Sequence, residues 1–261
     1  MKKLNLWLFA SLFVAAFTLT ACGDDDDPEV PNSDVVGTND LIGTWKVATT
    51  DDSYTYTFTE SQLTIKYNNE VEFQGTYTFQ NGTLTYSQDG RESSFKPGLL
   101  INKSVLVLKT METNDDGKSY EELAVILFKE GKTINTNASD IQGNWHWYAF
   151  GDESYIRTGL KLQGNNFELV ITPWGEKYVG TFTYANGIIK LNTTAAYTSR
   201  EEHTGYGSME GDMNPATLEG NWKTLDPDHW HVDAVSNGPF IANGNEAYGC
   251  VANLMCLYHK K

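Results

Sequence analysis

The chain repeats itself. Leu41-Ile42-Gly43-Thr44-Trp45 returns as Ile141-Gln142-Gly143-Asn144-Trp145, and Asp52-Ser53-Tyr54 returns as Glu153-Ser154-Tyr155. Gly75-Thr76-Tyr77-Thr78-Phe79-Gln80-Asn81-Gly82 returns as Gly180-Thr181-Phe182-Thr183-Tyr184-Ala185-Asn186-Gly187. The three matches keep their order at offsets of 100, 101 and 105 residues. Composition alone does not generate ordered matches of this kind, and a repeated unit constrains the architecture before any single motif does. The ends correspond as well: Leu123-Ala124-Val125-Ile126-Leu127-Phe128-Lys129 resembles Val251-Ala252-Asn253-Leu254-Met255-Cys256-Leu257. Two tandem domains are expected, at 41–135 and 139–261.

Inside each copy the apolar period is two. Tyr54, Tyr56 and Phe58 alternate with threonines, followed by Leu63, Ile65 and Tyr67, then Val71 and Phe73, Tyr77 and Phe79, and Leu84 and Tyr86. Such alternation turns one face of a strand to a core. Asn81-Gly82 and Asn186-Gly187 separate alternating runs, a strong hairpin signal. Asn68-Asn69 and Pro173-Trp174-Gly175 mark an earlier hairpin tip in each copy. The first copy reads as eight strands, near 43–49, 53–59, 62–67, 71–80, 83–88, 93–101, 104–111 and 120–129. Short strands joined by tight turns form an up-and-down meander, and closing eight of them removes the exposed edges. The expected fold class is all-β, two tandem small antiparallel barrels with no significant helix in the mature chain. A smaller open barrel and a β-sandwich remain alternatives. The second copy carries an insertion near 195–228, where alternation lapses and a third Gly-x-Trp occurs, Gly220-Asn221-Trp222.

The N-terminus fixes an expected compartment. Lys2 and Lys3 precede an apolar run, Leu4 to Leu19, too short for a spanning helix and followed by small residues before Cys22. Residues 1–21 read as a secretory leader, and Leu19-Thr20-Ala21-Cys22 resembles the bacterial lipobox, which implies that Cys22 is acylated with palmitate-type chains and becomes the new N-terminus. Gly23-Asp24-Asp25-Asp26-Asp27 resembles the surface-export signal of Bacteroidota-type lipoproteins, and read simply as charge it is a self-repelling tether. Residues 22–40 therefore form a lipidated, acidic, flexible tether. The expected location is the outer membrane, lipid-anchored and displayed at the cell surface, with the periplasmic face as the alternative. From Cys22 onward 17 Lys and Arg remain, since Lys2 and Lys3 leave with the leader, against all 34 Asp and Glu, a formal charge of −17. That balance opposes nucleic acid as a partner.

Gly43-Thr44-Trp45 and Gly143-Asn144-Trp145, each opening an eight-strand meander, resemble the lipocalin (calycin) pattern. The copies also resemble the lipocalin-like domains of secreted lipoproteins of gut Bacteroidota. The resemblance implies that Gly43, Trp45, Gly143 and Trp145 are structural, with each Trp packed across the closed end of its barrel. It also implies a small ligand at the open end.

Two constellations carry chemistry. In Asp226-Pro227-Asp228-His229-Trp230-His231-Val232-Asp233, a strand would place His229, His231 and Asp233 on one face, a partial metal site that His203 would extend. A surface loop with turn-forming Asp residues explains the same segment. The aromatics are the second lead. Trp174 sits at a hairpin tip, Trp145 and Trp147 share one face with Tyr148 opposite, and Trp174, Trp222, Trp230 and Trp147 are the candidate ligand-binding residues. Ser53 and Ser154 lack the Gly-x-Ser-x-Gly setting of a nucleophile and read as turn residues. Cys250 and Cys256, on one extended strand, would lie about 20 Å apart at ~3.3 Å per residue, beyond disulfide reach. Two unpaired thiols are expected, with Cys256 buried.

The resulting reading is a surface lipoprotein that binds a small apolar ligand or a glycan without catalysis and without a cofactor. A subunit docking on an outer-membrane protein is the alternative, and a metal-dependent enzyme built on His229 and His231 is a lesser one. In the first barrel Phe58, Tyr67, Phe73, Tyr77 and Phe79 are expected to fill the interior.

Overall fold

The computed structural model describes residues 36–48, 54–200, 214 and 216–261. The leader, Cys22, the acidic run, Ser53 and His203 lie outside them. The described chain folds into two tandem antiparallel barrels of eight strands each.

The first barrel runs β1 (Gly43–Val47), β2 (Tyr54–Phe58), β3 (Gln62–Tyr67), β4 (Glu70–Gln80), β5 (Thr83–Gln88), β6 (Arg91–Leu100), β7 (Val105–Thr113) and β8 (Ser119–Lys129). Each strand pairs with the next, and β1 closes on β8 through Trp45–Lys129, Lys46–Phe128 and Val47–Leu127. The alternation seen in the sequence holds over most of these strands, but Val71 is 55% exposed, and Tyr67, beyond a register shift at Ile65–Lys66, stays outside the buried cluster and packs on Tyr54 instead of filling the interior. Trp45, Phe58, Leu63, Ile65, Phe73, Tyr77, Leu84, Leu106, Leu108 and Leu127 point inward as one buried cluster. Asn81 and Gly82, with φ of 51° and 73°, make the expected tight turn.

The second barrel runs β9 (Gly143–Tyr148), β10 (Ile156–Gln163), β11 (Asn166–Ile171), β12 (Glu176–Ala185), β13 (Ile188–Thr198), β15 (Val235–Asn243), β16 (Glu246–Val251) and β17 (Leu254–Lys260), with a short β14 (Lys223–Leu225) added. β13 pairs with β12 along one edge. Its other edge is shared: residues 188–192 pair with β15, and residues 196–198 pair with β14. The insertion therefore leaves β13 near the barrel mouth and returns through β14. The first four residues of the expected insertion, 195–198, belong to β13, so the insertion starts at 199. The third Gly-x-Trp leads into β14 and does not open a barrel.

The two Gly-x-Trp motifs do the same work. The indole Nε1 of Trp45 donates to Leu41 O at 2.7 Å, and that of Trp145 donates to Ile141 O at 2.8 Å. Lys129 Nζ lies 4.8 Å from the Trp45 ring centre, and Lys260 Nζ lies 5.2 Å from that of Trp145. Gly43 and Gly143 adopt φ of 128° and 127°, and a Cβ at either would press on the stem of that lysine, 3.3 and 3.0 Å away. Lys260, not Leu257, is thus the counterpart of Lys129, and the sequence match between the two C-terminal strands shifts by three residues.

Two local expectations are corrected. The tether was expected to reach residue 40, but Thr38–Leu41 form a four-residue helix, α1, whose Leu41 is fully buried in the first core. The Asp40 carboxylate accepts from Gly37 N and holds this turn. Residues 251–255 are not continuous strand. Ala252 and Asn253 take φ of 52° and 63°, and the chain reverses there between β16 and β17. Cys250 then faces Met255, and Cys256 faces Gly249, so the thiols sit on opposite sheet faces. Neither is in a disulfide, and both are buried.

The barrels pack side by side. Val105, Val107, Leu123 and Ile126 on the outside of the first barrel meet Ile241, Tyr248 and Leu257 on the outside of the second. This explains why β7 begins with four consecutive buried residues, Val105 to Leu108: odd positions fill the seam and even positions fill the barrel. At the open ends Tyr120 packs edge-on against Phe150, with centroids 6.2 Å apart. At the closed ends Phe128 and Ile134 approach Gly187. The two mouths therefore open in the same direction.

Candidate functional site

The mouth of the second barrel is built by the ends of β9, β11, β13 and β16, the starts of β10, β12 and β17, and the segment after β14. Alternation along β12 sends Glu176, Tyr178 and Phe182 inward. Glu176 is a carboxylate at an inward position and is fully buried. Burying a charge is costly unless it is hydrogen-bonded. Here the Tyr178 hydroxyl donates to Glu176 Oε2, and His231 Nδ1 lies 2.7 Å from Oε1. The backbone N–H of His231 donates to the Tyr178 hydroxyl at 3.0 Å, closing the network. Burial and the Glu176 carboxylate both push the Tyr178 phenol above its ordinary value.

Two aromatic rings flank the partners of this carboxylate, and a third, Trp147, stands three strands away on β9 with the Arg157 guanidinium 5.0 Å from its ring centre. Trp147, Trp174 and Trp230 are partly buried against the second core. Trp174 stands 5.4 Å from the His231 ring, and Trp230 meets Tyr178 at right angles. The Trp174 turn is fastened from below. Arg200, 7% exposed, donates from Nη2 to Pro173 O at 2.6 Å, and Ser199 N donates to Gly175 O at 2.9 Å. The Trp230 indole donates to Leu225 O at 3.2 Å. Trp174 thus folds back over the barrel mouth, as a large apolar residue at a hairpin tip must to leave water.

The sequence candidates divide accordingly. Trp147, Trp174 and Trp230 lie at this mouth. Trp222 does not: it lies on the outer face with the Lys177 ammonium 4.7 Å from its ring centre. His229, His231 and Asp233 do not share a strand face. Asp226 caps a 3-10 turn at Pro227–His229, accepting from Asp228 N at 3.0 Å, and residues 230–234 are irregular. The turn signals Asp226, Pro227 and Asp228 outweigh the alternation that a strand would need. His231 turns to Glu176 instead. Among the described residues no three His, Cys, Asp or Glu side chains gather as a metal site.

Glu176, Tyr178 and Arg200 were missed from sequence. Glu176 carried a signal, being charged yet in phase with Tyr178 and Phe182. Arg200 carried none, because its role depends on a turn 27 residues earlier in the chain.

The first barrel offers less. β4 and β5 pair only over Tyr77–Gln80, and their other halves part around a cleft of about 360 Å³ lined by Glu72, Phe73, Gln74, Ser87, Gln88 and Asp89. Phe73 is the one apolar residue of that lining, whereas ligand sites are usually walled by several aromatic or aliphatic groups. No protein-family profile matches this chain, and no curated protein is similar to it.

Proposed function

We propose that the protein is an outer-membrane lipoprotein, anchored through Cys22 and displayed at the cell surface, whose second lipocalin-like barrel binds a small ligand at its mouth without catalysis. The observation that carries the reading is the packing of Trp174 and Trp230 on the buried Glu176–Tyr178–His231 network, with Trp147 at the same level of the barrel wall. Apolar walls with a few fixed polar groups are the usual composition of ligand sites. The first barrel, filled by its own side chains and joined through an apolar seam, serves as a brace.

The test is native mass spectrometry of the chain isolated from its own host, before and after a chelator, together with acyl-chain release from Cys22. A retained organic mass that Trp174→Ala loses supports the reading. A mass sensitive to the chelator and lost in His229→Ala favours the metal-dependent alternative, and a bare chain argues against a tight ligand.

A second reading, docking on an outer-membrane protein, is favoured by Phe150. This ring is 57% exposed and its backbone holds φ of 54°, uncommon for a bulky residue. Cross-linking from position 150 in intact cells tests it.

A further inference from the structure

The wall of the first barrel is not sealed along its whole height. β4 and β5 pair from Tyr77–Tyr86 to Gln80–Thr83, toward the closed end, and no backbone hydrogen bond between the described residues joins the two strands on the mouth side of that ladder. The cleft of about 360 Å³ occupies this gap and opens to solvent: Glu72, Gln74, Ser87 and Asp89 in its lining are exposed, and buried Phe73 is its floor. Val71, beside it, is an uncovered apolar side chain.

The parted strands present open edges. Tyr77 N donates to Ser61 O, on the side of β3, so Gln74 and Thr76, out of phase with Tyr77, turn their N–H and C=O groups into the gap. By the same alternation Thr78 and Thr85 face each other in the ladder, and Ser87 turns its backbone into the gap from β5. A side chain stands in for a strand at one point only: Gln88 Nε2 donates to Glu72 O at 3.3 Å. From Glu72 to Thr76 the frontage on β4 is ~13 Å at ~3.3 Å per residue, room for an extended chain of about five residues. Open edges invite pairing with another chain, and the charge beside them decides which chain. Glu70, Glu72, Asp89 and Glu92 border this gap against Arg91. That balance repels the acidic run at 24–27 and a second copy of a chain of formal charge −17 from Cys22 onward, and it attracts a basic segment.

We infer that the gap between β4 and β5 receives an extended segment of a partner protein bearing lysine or arginine, which adds a strand antiparallel to β4. Main-chain hydrogen bonds to Glu72, Gln74 and Thr76 hold the segment, its basic side chains meet Glu72 and Asp89, and an apolar side chain between them rests on Phe73. Main-chain bonds supply affinity in strand addition and alternate side chains supply specificity. The inference does not rest on the ligand site of the second barrel, and the two fail separately.

The experiment titrates the whole mature chain into dye-labelled, end-blocked octapeptides and reads fluorescence anisotropy. One peptide alternates valine with lysine, a second alternates valine with glutamate, and two more are the lysine peptide with every second amide N-methylated, in either frame. The lysine peptide is expected to bind and the glutamate peptide not. N-methylation in at least one frame should weaken binding by about tenfold or more, because it removes several main-chain hydrogen bonds. Glu72→Lys with Asp89→Lys should reverse the preference between the lysine and glutamate peptides. The same change of charge at Asp115 and Asp116, in the turn between β7 and β8, should leave it as it was. All four positions are exposed, so these variants keep the fold, which circular dichroism checks. Failure of the lysine peptide to bind overturns the inference. So does undiminished binding of both N-methylated peptides, or an equal effect of the two charge changes, since net charge alone would then account for the attraction.

Discussion

Nδ1 of His231 stands 2.7 Å from Oε1 of Glu176, a partner 55 residues earlier in the chain. The contact pins the irregular segment after β14 onto the start of β12. It supplies a polar partner to a carboxylate that water does not reach. Removing one partner of such a pair costs more than the pair itself contributes, because the other is left buried and under-satisfied. His231→Ala is therefore expected to lower stability by roughly 1–3 kcal/mol. Glu176→Gln, added to it, should restore part of that loss, since an amide tolerates burial better than a charge. Urea denaturation of the two single variants and the double variant measures the coupling.

The closed ends give a second expectation. Trp145 is fully buried, hydrogen-bonded to Ile141 O and covered by Lys260. Trp145→Ala leaves a large cavity and orphans a carbonyl, for an expected loss of about 3–5 kcal/mol. Trp45→Ala should behave alike, because the first barrel repeats the arrangement. Equal effects of the two changes in denaturant titrations would establish that the motif is structural in both copies, and a silent Trp45→Ala would contradict it.

The seam between barrels predicts coupled unfolding. Ile126 and Ile241 are fully buried although they point out of their own barrels. Truncation of either to Ala should cost about 2–5 kcal/mol. Ile126→Asp, which buries a charge in the seam, should split a single thermal transition into two, read by calorimetry. One undivided transition in that variant would mean that the barrels fold as one body without the seam.

Several buried phenols set the alkaline limit. Burial raises Tyr184 to about 12 and holds Tyr178 and Tyr258 above their ordinary value. The folded state keeps these phenols neutral while those of the unfolded chain ionise near pH 10. Stability is therefore complete below about pH 10 and falls as pH rises toward the folded values. Absorbance at the phenolate band should show a fast-titrating class near pH 10 and a delayed class that appears together with loss of circular dichroism. His146 works at the other end. Burial lowers its pKa, so its contribution is present above about pH 6.5 and declines as pH falls through the lowered value.

The sequence by itself determined the repeat, the period-two alternation and the turn residues. From these came two all-β domains and the strands of the first barrel to within a few residues, while the packing of Trp45 and Trp145 at the closed ends was what the lipocalin resemblance implied. These are local properties: alternation is fixed by the pleat, and Asn-Gly fixes a turn through its own backbone preferences. Tertiary structure alone decided the rest. The seam was hidden because a continuous run such as Val105 to Leu108 reads the same whether its outer face meets solvent-excluding protein of one domain or another. The reversal at Ala252 and Asn253 was hidden because apolar residues flank it on both sides and Ala252 gives no turn signal, although both residues adopt positive φ. The mouth network joins Glu176 to His231 and Arg200 to Pro173 across 55 and 27 residues. Nothing in the period of a strand encodes which distant segment will cross its end, since that follows from barrel closure and from where the insertion rejoins β13.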